Sequence, residues 1–223
     1  MIAAIFDFDG TLVSAPVWQQ LIARMLRQRR NVLPVLAHLA YHYPRYPLVK
    51  LGLGNPDRLR QEWAEHMPWV LRHVPVKEAR DLMQEVARED LQPTVRPEML
   101  ERVDHHRRQG HAVILLSGAL QPLLEAFAQL VDIPVALGTQ LEVQDGVYTG
   151  RLVPPASYGP GKVERLRGYL ETSLPQVDLA RSFAYADSLS DHPVLSLVGN
   201  PVAVAPEDRL RRLAVQSGWS IIE

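Results

Sequence analysis

Five short runs of the chain are apolar from end to end: IAAIF (2–6), AVILL (112–116), PVALG (134–138), SFAYA (182–186) and PVAVA (201–205). Each has the length of a strand. The lack of alternation predicts a parallel sheet covered on both faces. Between them, LQPLLEAFAQLV (120–131), GKVERLRGYLET (161–172) and LSDHPVLSLVG (189–199) carry helical spacing. Strands alternating with helices predict right-handed crossovers and a doubly wound α/β sheet. One piece differs. LEVQDGVYTGRLV (141–153) has two alternating arms around Asp145 and Gly146, which predicts a hairpin with Asp145 in the turn.

Residues 13–97 show no strand pattern. They are rich in Leu, Arg, Gln and Ala and are broken by prolines, which predicts several helices joined by turns. So long an insert must form its own layer. The expected organisation is an α/β core domain of residues 1–14 and 95–223, with a helical cap domain of residues 15–94 inserted after the first strand. VLPVLAHLAYHY (32–43) is the most apolar part of the insert, but it is too short to span a bilayer and contains Pro34, His38 and His42. It reads as a helix of the cap or core, with a membrane-surface or partner face as the alternative. His38 and His42 are four apart and would share a helix face, as two metal ligands do, but no third ligand is apparent.

Composition narrows the picture by exclusion. The 223 residues are 47% hydrophobic and 22% charged, with a formal net charge of −1. A near-neutral balance gives no bulk electrostatic reason to expect nucleic acid or an acidic membrane as a partner. Cysteine is absent, which removes disulfides and thiolate chemistry and fits a reducing cytoplasm. The first residues lack a basic n-region and meet Asp7 too early for a signal peptide.

Ligands of open α/β sheets bind beyond the carboxyl ends of the strands. Asp7 and Asp9 fall there on the first strand, Ser117 on the second and Asp187 on a later one, with Asp191 four residues on. A single Asp at a turn is ordinary. Several at one rim repel unless a cation sits among them, and an all-oxygen, highly anionic set favours Mg²⁺.

On these residues the chain resembles the haloacid dehalogenase-like hydrolase superfamily. DFDGTLV (7–13) resembles its first motif, SGA (117–119) its second, Lys162 in GPGKVERL its third and ADSLSD (186–191) its fourth, in the expected order. The set is most similar to subfamily IB, the phosphoserine-phosphatase-like branch. The resemblance implies a Mg²⁺-dependent phosphatase acting on a small phosphate monoester through an aspartyl-phosphate intermediate. Asp7 would be the nucleophile and Asp9 the acid and base. Thr11 would help hold Asp9 and bind the substrate phosphate. Ser117, the Gly118 backbone N–H at a helix start, and Lys162 would bind the phosphoryl oxygens. Asp7, Asp9 (through its carbonyl) and Asp187 would hold the metal, and Asp191 would orient Lys162 or water around it.

Some residues depart from the pattern. The phosphoserine enzymes of this branch carry a glutamate nine residues after the nucleophile, and Pro16 stands there. Ala205 replaces a common asparagine. GPGKV lacks the first glycine and the hydroxyl residue of a P-loop, having Ala156 and Val163 at those positions. In the cap, Arg24, Arg45, Lys50, Arg58 and Arg60 are candidates to meet an anionic leaving group. Trp18, Trp63 and Trp69 are expected to pack the cap, with lining the pocket as the alternative, and His105, His106 and His192 to be surface residues. A phosphomutase, and a binding protein that keeps the fold without turnover, are the alternatives. The intact acidic set speaks against the second.

Overall fold

The first apolar run forms β1 (Ala3–Phe6), after which the chain leaves the sheet at once. Five helices follow: α1 (Val17–Arg27), α2 (Val32–His42), α3 (Arg45–Lys50), α4 (Pro56–His66) and α5 (Val76–Glu85), the last continuing in π geometry over Val86–Leu91. The computed structural model describes residues 1–223 except the side chain of Lys50, so the expectation for Lys50 lies outside the described residues. The chain returns through α6 (Pro97–Arg108) to β2 (Ala112–Leu120), α7 (Gln121–Leu130) and β3 (Val135–Thr139). After the hairpin of β4 (Leu141–Gln144) and β5 (Val147–Leu152) come α8 (Pro160–Ser173), β6 (Phe183–Ala186), α9 (His192–Leu195), β7 (Asn200–Val204), α10 (Asp208–Ser217) and β8 (Ser220–Ile222).

Six strands form one parallel sheet in the order β3-β2-β1-β6-β7-β8. Its middle explains why the strand sequences do not alternate. Ala4, Phe6, Val113 and Leu115 face α6, α7 and the inserted helices. Ala3, Ile5, Ile114 and Leu116 face the opposite way, against Leu166 and Leu170 of α8, Leu195 of α9 and Leu210 of α10. Both faces are dry, so every position is apolar. Phe6, Phe8 and Phe127 are fully buried, each contributing roughly 1.5–3 kcal/mol by leaving water.

The hairpin forms as expected. Asp145 and Gly146 both have positive φ (51° and 77°), the twist a two-residue turn needs. Two local expectations change, at residues 189–199 and at His106. The run at 189–199 yields only a 3₁₀ turn at Leu189–Asp191 and the single helical turn of α9. β8 has only three residues, too few to show a pattern. His105 is exposed, but His106 is not. It lies 3% exposed under the sheet, Nε2 2.8 Å from the Tyr185 hydroxyl and Nδ1 2.8 Å from His111 Nδ1. His192 is exposed, as expected.

The inserted helices do not form an island. One hydrophobic cluster runs from Leu21, Met25, Val70 and Met83 through to Phe6, Phe8, Leu120 and Phe127. His38 and His42 are both buried, the first against Trp63 and Trp69. His66 Nδ1 lies 3.2 Å from His42 Nε2, a third histidine that the spacing of the first two did not reveal.

Candidate active site

β1 ends at Phe6, and Asp7 is the next residue. Its N–H donates to the Tyr185 carbonyl of β6 at 2.9 Å, so the neighbouring strand fixes where the carboxylate begins. Phe8 turns inward and packs on Phe127 with ring centroids 4.6 Å apart. Asp7 and Asp9 both line a cleft of about 230 Å³ above the carboxyl ends of the strands. Alternation past the strand end thus gives two acids outward and one aromatic inward. Gly10 follows with φ +79°, which turns the chain towards the inserted helices.

Lys162, on the first turn of α8, is 4% exposed. Its Nζ donates to Asp7 Oδ1 at 2.6 Å and, in a very short contact, to Asp191 Oδ1. Burial alone would push the lysine pKa down, but Asp191 and Asp7 outweigh it and hold the ammonium charged. Ser117, from β2, is 2% exposed and lines the cleft, its Oγ accepting from the Ala119 N–H at 3.1 Å. Asp187 follows β6 directly, and Asp191 is buried four residues further on, at the end of the 3₁₀ turn.

Asp7, Asp187 and Asp191 each direct one carboxylate oxygen to a common point, all within 4.8 Å of one another. Burial and crowding raise carboxyl groups of the cleft. Asp187 is pushed up to about 8, first by burial and then by Asp7 and Asp191. Asp9 is pushed up to about 6 by burial and by Asp7. Buried carboxylates that repel one another at this distance are a donor set that a divalent cation neutralises, and the oxygen ligands suit a hard ion.

Several expectations are met in position and some are corrected. Asp7, Asp9, Ser117, Gly118, Lys162, Asp187 and Asp191 all line the cleft. Asp191 does contact Lys162, and it also belongs to the carboxylate trio. Thr11 neither holds Asp9 nor reaches the cleft. It is fully buried, and its Oγ1 donates to Asp187 Oδ1 at 3.2 Å. Asp9 is held instead by the Val17 N–H, 3.3 Å from Oδ2. Gly118 does not open a helix: β2 runs on to Leu120 through an irregular register, and α7 begins only at Gln121.

None of the described arginine candidates lines the cleft. Arg24 pairs with Asp90 and Glu89, Arg45 and Arg58 with Glu62, and Arg60 stands 3.8 Å from Glu207. The insert contributes Val17 and Trp18 instead. Ala119, Tyr158, Ser188 and Ser190 complete the wall, and the sequence reading gave none of them a role. Ser190 sits within the fourth motif, where it could have been read. Tyr158 precedes Gly159 in an irregular loop with no periodicity to mark it. Ala205 has φ +37°, a conformation that asparagine tolerates better than alanine.

Comparison with known proteins agrees with this geometry. Residues 4–196 match the haloacid dehalogenase-like hydrolase family. A phosphoserine phosphatase of Mycobacterium tuberculosis is 32% identical over 98% of this chain and 70% of its own length. A histidinol-phosphatase of Neisseria meningitidis is 30% identical over 98% of this chain and 97% of its own. The crystal structure of a Bordetella pertussis protein of unknown function superposes with a TM-score of 0.83 at 25% identity, covering 99% of this chain and 97% of that one. The chain belongs to the haloacid dehalogenase-like hydrolase family. Within it the chain stands in the phosphoserine-phosphatase-like branch, and it is a phosphatase.

Proposed function

We propose that this phosphatase hydrolyses a small, soluble phosphate monoester with Mg²⁺ as its ion, in the cytoplasm. The observation that carries the reading is the clamp on Asp7, whose carboxylate meets Lys162 at 2.6 Å inside a cleft that also holds Asp9 and Ser117. Asp7 attacks phosphorus and the ester oxygen leaves, giving an aspartyl-phosphate. Asp9 donates its proton to that oxygen. A carboxyl raised to about 6 is a competent acid near neutrality and, once ionised, a base for the water that cleaves the aspartyl-phosphate. Lys162 offsets charge on the nucleophile and on the transferred group, and Ser117 and the Gly118 N–H bind phosphoryl oxygens. Asp7, Asp187 and the Asp9 carbonyl would hold the Mg²⁺, with Asp191 beside them; the ion supplies positive charge to the phosphoryl oxygens.

The division into a core of residues 1–14 and 95–223 and a cap of residues 15–94 is part of this proposal. It is supported where the chain leaves and returns: the Ser14 N–H donates to the Thr94 carbonyl at 2.9 Å, and the Arg96 N–H to the Leu12 carbonyl at 3.0 Å. The leaving group would then meet Val17, Trp18 and Tyr158. Pro16 supplies no carboxylate for a substrate ammonium, so phosphoserine is expected to be a poor substrate. The two named relatives carry different substrates in their names at nearly equal identity, and similarity alone does not choose between them.

The test is release of inorganic phosphate from p-nitrophenyl phosphate. Turnover is expected with Mg²⁺ and none with EDTA, and Asp7→Asn should lower kcat by about 10³-fold or more with the melting temperature kept. A purified, folded protein with no turnover on a broad panel of phosphate esters would sink the reading.

A further inference from the structure

Helix α2 is apolar all round. Its inner face buries Val35, His38 and His42. Its outer strip is Leu33, Leu36, Ala37, Ala40 and Tyr41, at spacings of three and four, and all five are exposed, Leu33 at 80%. The exposure continues past the helix with Tyr43, Leu48, Leu51 (74%) and Leu53 (72%). Among the described residues, eight of the twelve large exposed hydrophobic side chains fall within residues 33–53. Isolated exposed leucines are ordinary, but a surface helix turns polar residues to water, and a contiguous apolar strip marks a contact surface.

Charge indicates what the strip meets. Residues 10–56 contain no Asp or Glu and six Arg or Lys, in a chain whose formal net charge is −1. Arg24, Arg27 and Arg30 are paired with acids of α5 and the π segment, away from the strip. Beside it, Arg45 lies 3.8 Å over the Tyr41 ring. Arg45 and Arg58 share the single carboxylate of Glu62, at 3.4 and 3.0 Å, and residues 32–66 together carry four Arg or Lys against three Asp or Glu, a small positive excess. An isologous contact between two copies would bring two patches of the same net sign together. An anionic surface with an apolar interior meets both halves of the patch, and tyrosines at the boundary suit the headgroup level.

We propose that the outer face of α2, with the following segment to Leu53, docks onto an anionic lipid bilayer. The attachment is peripheral: no helix is long and apolar enough to cross a membrane. The docked segment runs directly into α4, whose Asp57 meets Arg209 of the core at 3.2 Å, so the surface has a fixed relation to the sheet. The inference does not depend on the substrate.

The experiment is flotation of the whole protein with vesicles of phosphatidylcholine, with and without about 30% phosphatidylglycerol. Binding is expected to the anionic vesicles only, and to weaken from about 50 to about 500 mM salt. The paired changes Leu33→Ser/Leu36→Ser and Leu51→Ser/Leu53→Ser should each lower binding by about tenfold or more, with p-nitrophenyl phosphate turnover unchanged. These side chains are exposed, so the variants keep their melting temperature. Absence of binding overturns the proposal, as does binding that the variants do not alter. A dimer in sedimentation that both variants dissociate also overturns it, and assigns the face to a second copy of the chain.

Discussion

Gly10 has φ +79°, and a Cβ built there would lie 2.3 Å from Asp187 Oδ2. Two constraints meet at one atom. The left-handed backbone costs any other residue about 1–2 kcal/mol, and the space is already filled by a carboxylate of the trio. Gly10→Ala therefore cannot be absorbed by backbone adjustment alone; Asp187 must move. Thr11 holds the same carboxylate from below at 3.2 Å, so its displacement breaks that bond too. A shift of about an ångström in a positioned group costs about 10²-fold in rate. The expected outcome is a loss of that size in kcat/KM together with a raised divalent-metal concentration for half-activity, read by titrating the ion. A variant with lowered stability and an unchanged ion requirement would show that Gly10 serves only the turn.

Helices α2 and α4 enclose three imidazoles that are held neutral. His38 and His42 are lowered to about 4, the first by burial and then His42, the second by burial and then His66 and Arg45. His66 is lowered as well, chiefly by burial. In the unfolded chain each takes a proton near pH 6.5. The unfolded state therefore binds more protons, and stability is present in full above about 6.5 and lost as pH falls towards about 4. For the fully buried His38 the loss is on the order of 3 kcal/mol at the acid end. Urea midpoints measured from pH 7.5 to 4.5 should fall steadily in the wild type and less steeply in His38→Leu; equal slopes would show that His38 does not titrate as described. This cluster was half legible. A spacing of four announced that His38 and His42 share a face, but His66 belongs to another helix, and periodicity within one helix is silent about its neighbour. The same limit applied to His106, whose charged helix sequence suggested a solvated face while packing placed its ring under Tyr185. The acidic residues of the site were easier, because a strand end is a local signal and parallel strands bring their ends to one rim by construction.

Across the whole molecule, the helical insert was legible as helical and as inserted, but its attachment was not. The strand-like stretch before α5 pairs with the β4–β5 hairpin. The His73 N–H donates to the Tyr148 carbonyl at 2.8 Å, the Tyr148 N–H to Val74 at 2.9 Å and the Val76 N–H to Gly146 at 3.0 Å. Gly150 lets Arg72 approach the hairpin, since a Cβ there would lie 2.9 Å from the arginine Cβ. These partners lie far apart in sequence, and the alternation of Val74 and Val76 with exposed His73 and Pro75 covers only four residues, one of them a proline, too short a run to mark a strand. The apolar cluster that joins Met25 and Met83 of the insert to Phe6 and Phe127 of the core adds a second bond between the layers. An insert with its own separate core would melt by itself. One that completes a face of the sheet cannot leave without exposing that face to water, at about 25 cal/mol for each Å² of apolar surface. The two layers are therefore expected to unfold together. Scanning calorimetry should give a single peak whose calorimetric and van't Hoff enthalpies agree, with Met83→Ala, in the insert, lowering that one peak by roughly 2–5 kcal/mol of stability rather than splitting it. Two resolved transitions, with Met83→Ala moving only the first, would show that the helical layer folds as an independent unit.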